Sequence, residues 1–268
     1  MWPFSPSTTT LACSGLLEGA TDWHSHILPG VDDGIKTIDE TFDTLRTMKE
    51  AGVARVYLTP HIMEDVPNTP CALRQHFERL CESTADVADM PELALGAENM
   101  LDTVFSGRLT ERDLIPISAR TPGHADTLLV ETSFANPPMG LYEILSDTLK
   151  AGYFPMLAHP ERYLYMSESD YTRLRREGVM LQLNLPSIAG FYGPQVKQRA
   201  IHLLKKGMYD FTGSDTHSLK WYRRLLEAPI PRSLVKHLAP IMSPRSHVSP
   251  ENASTARQRI AVGPLTYR

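Results

Sequence analysis

Asp22-Trp23-His24-Ser25-His26-Ile27-Leu28-Pro29-Gly30-Val31-Asp32-Asp33-Gly34 is the stretch on which the reading of this chain turns. Ala20–His26 reads as a strand, and the glycine-bounded Gly30–Gly34 as a tight loop beyond it. On a strand, residues i and i+2 share a face, so His24 and His26 point the same way. Asp33 sits in the loop just past them and can fold back over the strand end.

Outward from this block, strands and helices alternate. Ile38, Phe42, Leu45 and Met48 recur at helical spacing, and Gly52 closes that helix. Arg55–His61 reads as a second strand, followed by a helix over roughly 70–88. Leu93–Glu98 and Thr127–Thr132 are a third and a fourth strand. Leu141–Ala151 is helical up to Gly152, and Phe154–His159 is a fifth strand. A helix near 169–177, a strand over Met180–Leu185, a helix near 194–206 and a strand over Asp210–Asp215 complete the series. Seven such units, with neither GxGxxG nor GxxxxGK[ST] among them, favour an α/β fold closed as a seven-stranded (β/α) barrel over a nucleotide-binding sheet. Residues 1–19 read as an irregular lead-in and 20–231 as the folded domain. Residues 232–268 read as a flexible tail, with Arg232, Lys236, Arg245, Arg257, Arg259 and Arg268 set against Glu251 alone.

The chemistry lies at the strand ends. The strands terminate in Asp22-Trp23-His24-Ser25-His26, Thr59-Pro60-His61, Gly96-Ala97-Glu98, Val130-Glu131-Thr132, Ala158-His159-Pro160 and Gly213-Ser214-Asp215-Thr216-His217. In a barrel these C-terminal ends converge on one mouth. A single His-x-His is often incidental, and a single Glu after an apolar strand usually begins a solvated loop. Six of seven strands ending in His, Asp or Glu is not chance. The candidate ligands are His24, His26, Asp33, His61, Glu98, Glu131, His159, Asp215 and His217. Imidazole and carboxylate without thiolate suit Mn²⁺, Fe²⁺ or Zn²⁺. Nine ligands exceed what one ion takes, so two or three ions are implied. Such ions activate water at neutral pH and neutralise phosphoryl oxygens, which points to phosphoester hydrolysis. His76, His124, His202, His237 and His247 lack this context and read as structural or exposed.

Composition excludes other classes. A net charge of −4 argues against a nucleic-acid partner. No run approaches the roughly 18 apolar residues of a membrane span, and the first residues lack the pattern of a secretory signal. Cys13, Cys71 and Cys81 are too few for a disulfide framework and fit a reducing cytoplasm. A thiolate phosphatase needs an arginine six residues after its cysteine; those positions hold Gly19, Phe77 and Val87.

Taken together, the first block, Thr59-Pro60-His61, Gly96-Ala97-Glu98, Val130-Glu131, His159-Pro160-Glu161-Arg162 and Gly213-Ser214-Asp215-Thr216-His217 resemble the PHP (polymerase and histidinol phosphatase) superfamily. More narrowly, they resemble its CpsB/YwqE-like branch of bacterial protein-tyrosine phosphatases, found in capsule and exopolysaccharide gene clusters. The resemblance spans about residues 20–225. It implies a distorted seven-stranded barrel with three metals, usually Mn²⁺. It implies His24, His26, Glu98 and Asp215 on the first ion, and Glu98, Glu131 and His159 on the second. Asp33, His61 and His217 would hold the third. Arg162 matches the arginine that holds the substrate phosphate. A second such arginine is implied after the last motif, where Trp221-Tyr222-Arg223-Arg224 offers Arg223 or Arg224. The implied substrate is a phosphotyrosine protein, an autophosphorylating tyrosine kinase of polysaccharide export. A small-molecule phosphatase acting on histidinol phosphate and an amidohydrolase are the alternatives. Asp33, Glu98 and Glu131 supply more ligands than the amidohydrolase scheme uses, and Arg162 has no role in it.

Overall fold

The computed structural model describes residues 7–66, 68–117 and 126–242. Its centre is a curled, all-parallel sheet. Strands β2 (Thr21–Asp22), β3 (Arg55–Leu58) and β5 (Glu92–Leu95) pair in the order β2-β3-β5. Strands β4 (His61–Ile62), β6 (Glu98–Met100), β7 (Thr127–Glu131), β8 (Phe154–Ala158), β9 (Met180–Asn184) and β10 (Phe211–Gly213) form six parallel neighbours in the order β10-β9-β8-β7-β6-β4. The second and third sequence-derived strands are therefore each split in two. Pro60 interrupts the first of them because proline donates no ladder hydrogen bond. Gly96 interrupts the other at a close approach: a Cβ there would lie 2.8 Å from Ile117 Cγ1. Backbone bonds from Gly96 N to Leu58 O and from Glu98 N to Pro60 O carry the pairing across both breaks.

Helices pack outside the curl because its strands are apolar on both faces, as parallel sheets require. Leu128, Val130, Leu157, Leu181 and Leu183 belong to the large core shared with the helices. Their alternates, Leu129, Met156, Ala158 and Phe211, join Trp23 and Tyr57 in a separate buried cluster. The side-chain period of two sorts residues between the two cores. Helix α1 (Ile38–Glu50) starts at Thr37, whose hydroxyl accepts the Glu40 N–H, and buries Thr41, Thr44, Leu45 and Met48. Helices α2 (Pro70–Thr84), α3 (Phe105–Glu111), α4 (Leu141–Lys150), α5 (Glu168–Arg176), α6 (Leu185–Ala189), α7 (Pro194–Lys205) and α8 (Leu219–Glu227) follow. The first strand meets the last at the other margin of the curl. Trp23 N donates to Thr212 O, Asp215 N to His24 O (2.8 Å) and His26 N to Thr216 O (2.9 Å).

Both ends of the described chain depart from the sequence reading. The lead-in is not irregular throughout: β1 (Thr8–Thr10) pairs antiparallel with β11 (Pro229–Pro231), and Leu11, Leu16 and Leu17 are buried behind it. Residues 232–242 are not loose either. Helix α9 (Arg232–Met242) buries Leu234, Leu238 and Met242, spaced four apart on one face. The rest of the expected flexible tail, 243–268, lies outside the described residues.

Candidate metal and phosphate site

All nine candidate ligands meet in one pocket or in the wall directly behind it, although His61 and Glu98 open β4 and β6 rather than ending a strand. Asp33, His61, Glu98, Glu131, His159, Arg162, Asp215 and His217 line the cavity together with Phe134, Tyr192 and Trp221. His24 and His26 lie behind Glu98 and Asp215, almost fully buried. Their Nε2 atoms are 3.0 Å apart. Both approach Asp215 Oδ1, at 3.6 and 3.4 Å, and Glu98 Oε2, at 3.1 and 3.3 Å. Glu98 is the hub of the set. Its Oε2 also faces His61 Nδ1 at 3.2 Å, and its Oε1 faces His159 Nε2 at 2.9 Å. Glu131 Oε1 lies 2.9 Å from His61 Nδ1. At the solvent side, His61 Nε2 and His217 Nε2 each lie 3.5 Å from Asp33 Oδ1. The donor atoms fall into four overlapping groups: His26, Asp33, His61 and His217; His24, His26 and Asp215; His24, Glu98 and His159; His61, Glu98 and Glu131. His61 thus joins the Asp33 group through one ring nitrogen and the Glu131 group through the other.

Local sequence explains how these side chains reach the pocket. Regular strand ends at Asp22, whose buried carboxylate accepts the backbone N–H groups of His24 and Ser214 and the Ser214 hydroxyl. One carboxylate thereby ties the first ligand segment to the last. Burial raises the Asp22 pKa to about 6, against the hydrogen bonds from Ser214 and His24. Two glycines admit close approaches. A Cβ at Gly34 would sit 1.9 Å from His26 O, and one at Gly213 would sit 2.4 Å from His24 Cβ. His159 (φ 37°) and Asp215 (φ 51°) adopt left-handed backbone that non-glycine residues rarely take. Such strain is concentrated at functional positions, where surrounding structure holds it in place.

The outer nitrogens of the imidazoles are fixed from behind. His24 Nδ1 donates to Gln182 Oε1 (2.8 Å), and His26 Nδ1 donates to Asp32 Oδ2 (2.8 Å). His217 Nδ1 donates to the Asp215 carbonyl (2.9 Å). In each ring this leaves Nε2 facing the pocket, where the neutral form would present the lone pair a metal ligand needs. Asp32 also accepts the N–H groups of Gly34 and His61, so it braces three ligand segments.

The electrostatics favour cations. The site and the wall behind it hold five carboxylates (Asp32, Asp33, Glu98, Glu131 and Asp215) and one guanidinium, that of Arg162. Burial pushes the Glu98 carboxyl up, but His24, His61 and His159 outweigh it and hold it well below the usual range. Burial likewise opposes ionisation of Asp215, and His24, His26 and His217 overcome it. His26 is held well above the ordinary histidine value despite burial, by Asp215, Asp32 and Glu98. Yet His61 Nδ1, Glu98 Oε2 and Glu131 Oε1 are buried without a hydrogen-bond partner, although they face one another at close range. Atoms that crowd together without hydrogen-bond alignment are lone pairs aimed at a common point. That geometry fits a coordinated ion, since buried polar atoms otherwise find partners.

Arg162 enters from the one-turn 3₁₀ helix Pro160–Arg162 that leaves β8. Its Nη1 donates to Asp215 Oδ2 at 2.9 Å. Its guanidinium carbon lies 4.2 Å from the ring centroids of both Phe134 and Tyr192. Glu161 and Glu168 are not its partners: Glu161 is buried against Asn184 N and Tyr209 OH, and Glu168 faces Lys206 and His202. The structure places neither candidate for the second expected arginine in the lining of this pocket. Arg223 is exposed and lines a different groove, with Glu40 and Asp43. Trp221 on the same helix faces the pocket, and a residue two positions on points roughly 200° away. Arg224 stacks on Phe191 instead. Asp32, Gln182, Phe134 and Tyr192 were not singled out from sequence as site residues. Asp32 alone carried a signal, its place in the first block.

A pocket of imidazoles and carboxylates at the C-terminal ends of a curled parallel α/β sheet is the kind of centre on which metal-dependent hydrolases are built. Within that class the chain belongs to the CpsB/CapC family of capsular polysaccharide synthesis, whose family model matches residues 20–228. Curated relatives include the tyrosine-protein phosphatase YwqE of Bacillus subtilis (strain 168), 29% identical over 205 residues, covering 74% of this chain and 78% of that one. The tyrosine-protein phosphatase CpsB of Streptococcus pneumoniae is 30% identical over 206 residues, covering 74% and 83%. A solved structure from work on YwqE of Bacillus subtilis and CpsB of Streptococcus pneumoniae, described as unique metal-dependent tyrosine phosphatases, superposes with a TM-score of 0.69 at 24% identity. It covers 89% of this chain and 94% of that one. Among the described residues no helix is long and apolar enough to cross a membrane.

Proposed function

We propose that this chain is a metal-dependent protein-tyrosine phosphatase whose substrate is a tyrosine kinase of capsule or exopolysaccharide synthesis, acting in the cytoplasm. The observation that carries the reading is the trio of buried, mutually facing and unpartnered donors: His61 Nδ1, Glu98 Oε2 and Glu131 Oε1. We read the bonds joining Trp23–His26 to Thr212–Thr216 as closing the curl into a distorted seven-stranded barrel, so that the ligands face one mouth. His24, His26, Glu98 and Asp215 would hold one ion, Glu98, Glu131 and His159 a second, and Asp33, His61 and His217 a third. The donor set suits Mn²⁺, with Fe²⁺ and Zn²⁺ as its chemical neighbours, at two or three ions per chain. When bound, the ions supply Lewis acidity and activation of water.

The remaining work falls to the chain itself. Arg162 offers a planar fork to the phosphate oxygens, and Phe134 and Tyr192 hold the plane of that fork. Trp221, Phe134 and Tyr192 give the mouth an aromatic rim suited to a phenyl ester. Gln182 and Asp32 keep His24 and His26 in the ligating tautomer.

The test is a substrate panel with Mn²⁺: phosphotyrosine and phosphoserine peptides, histidinol phosphate and an N-acyl amide at one pH. Phosphotyrosine turnover is expected to lead, to drop more than tenfold with a strong chelator, and to survive joint replacement of Cys13, Cys71 and Cys81 by serine. Thiol sensitivity without chelator sensitivity would overturn the mechanism, and faster histidinol phosphate turnover the substrate. Elemental analysis of active protein should give two or three ions per chain. A further expected result concerns Gln182→Leu, which removes the acceptor behind His24. Metal affinity should fall about 10- to 100-fold by titration, with the far-UV spectrum unchanged. Unchanged affinity would separate Gln182 from the metal centre.

A further inference from the structure

Exposed apolar side chains are unevenly distributed over this surface. Of the five large ones among the described residues, Phe134 (45% exposed), Met139 (97%) and Leu164 (45%) sit on two neighbouring segments, 132–140 and 160–166. Each segment also contributes to the catalytic pocket, through Phe134 and Arg162. Further along, the same two segments and the start of α4 enclose a second cavity of about 350 Å³, lined by Pro137, Pro138, Leu141, Tyr142, Tyr165 and Met166. Glu143 and Asp170 also line it.

The two cavities are mechanically joined. Thr132 N donates to Tyr163 OH (3.1 Å), and the Thr132 hydroxyl meets Tyr165 OH. Rings run without a break from one cavity to the other: His159 to Tyr163 at 5.7 Å between centroids, then Tyr163 to Tyr165 at 5.8 Å. Those two steps set an upper bound on the separation of the end rings, and extended chain rises about 3.3 Å per residue, so up to about three residues of polypeptide span it. Concentrated apolar exposure beside a polar pocket marks a binding surface. The two lining carboxylates set its charge preference, because a further acid placed there would meet like charge.

Resting on the phosphatase reading above, we infer that this groove is a substrate subsite. It takes an apolar side chain about three residues from the phosphotyrosine on the same polypeptide, and it disfavours an acidic one. The enzyme thereby reads a phosphotyrosine together with its flanking sequence.

The experiment compares phosphotyrosine peptides carrying Leu, Ser or Glu at the third residue, before or after the phosphotyrosine, on the Mn²⁺-loaded full chain. A small aryl phosphate is measured alongside. On one side of the phosphotyrosine, Leu should exceed Ser at least tenfold in kcat/KM, mainly through KM, with Glu the poorest. Pro137→Glu places a charge in the groove from an exposed position. It should reduce turnover of the Leu peptide at least tenfold more than turnover of the aryl phosphate. Fluorescence anisotropy with a non-hydrolysable phosphotyrosine-mimic peptide should show the same Leu preference in binding. Equal rates for Leu and Ser peptides on both sides, with normal aryl phosphate turnover, overturn the subsite and leave the phosphatase reading standing. Absence of turnover on every phosphorylated substrate overturns both. The wild-type peptide series decides the matter even if the variant does not fold.

Discussion

Glu98→Gln is expected to lower kcat/KM on an aryl phosphate about a thousandfold, or ~4 kcal/mol of transition-state stabilisation. Glu98 is 1% exposed and touches four imidazoles: His24, His26 and His61 through Oε2 and His159 through Oε1. No other carboxylate among the candidate ligands meets so many imidazoles: Asp215 meets His24, His26 and His217. Glutamine keeps the volume and removes the charge, so cavity and packing effects stay small. It also turns an NH₂ group toward nitrogen lone pairs that should face a cation. Loss of at least one ion per chain should accompany the loss of rate, while thermal unfolding stays cooperative. The carboxylate that opposes burial so strongly is then absent, and with it the force that draws a cation into the middle of the cluster. Near-normal turnover with a full metal complement in Glu98→Gln would remove Glu98 from the centre and with it the bridged arrangement of ions.

Much of the site could be read before the structure because strand ends carry it, and strand ends are marked by where apolar runs stop. Glu131 and His159 follow such a run directly, and His61 and Glu98 lie two or three residues beyond one. What the sequence hid has particular causes. Arg223 was placed by proximity to the last motif, but a helix begins at Ser218, whose hydroxyl accepts Trp221 N, and its phase sends Trp221 to the pocket and Arg223 outward. Gln182 lies in a strand whose neighbours, Leu181 and Leu183, read as plain core, and nothing local announces that its amide backs a histidine. Tyr192 reaches Arg162 from a loop between α6 and α7, a contact made only by tertiary folding. At the chain ends, β1 is three threonines whose partner lies more than two hundred residues away. The apolar stripe of α9, Leu234, Leu238 and Met242, is diluted by Arg232, Lys236 and His237. The curled sheet was legible from the alternation of units. Its interruptions at Pro60 and Gly96 follow from residues that were visible, yet the break at Gly96 needed the packing of Ile117 to show itself.

Arg162→Ala should cost about a hundred- to a thousandfold in kcat/KM on an aryl phosphate while leaving metal content at the wild-type level. The reason lies in how the guanidinium is held. Its guanidinium carbon lies over the rings of both Phe134 and Tyr192, 4.2 Å from each centroid, and Asp215 accepts from Nη1. Three contacts fix both its plane and its position at the pocket wall. A fork held this way loses little entropy when it meets phosphate oxygens, and burial strengthens each charge-assisted bond it makes. Burial would lower its pKa, but Tyr192, Asp215 and Glu98 keep the group charged. A purely structural salt bridge to Asp215 predicts a different pattern. Asp215 would then lose its restraint, and metal content would fall together with rate. Arg162→Lys separates the two. A lysine can restore one charge–charge contact with Asp215, but it cannot lay a planar group over two rings or offer two parallel donors. If the role is phosphate recognition, the lysine variant should remain at least tenfold impaired with its ions in place. Recovery of wild-type kcat/KM in Arg162→Lys would assign the residue to holding Asp215 and leave the phosphate to other groups at the mouth.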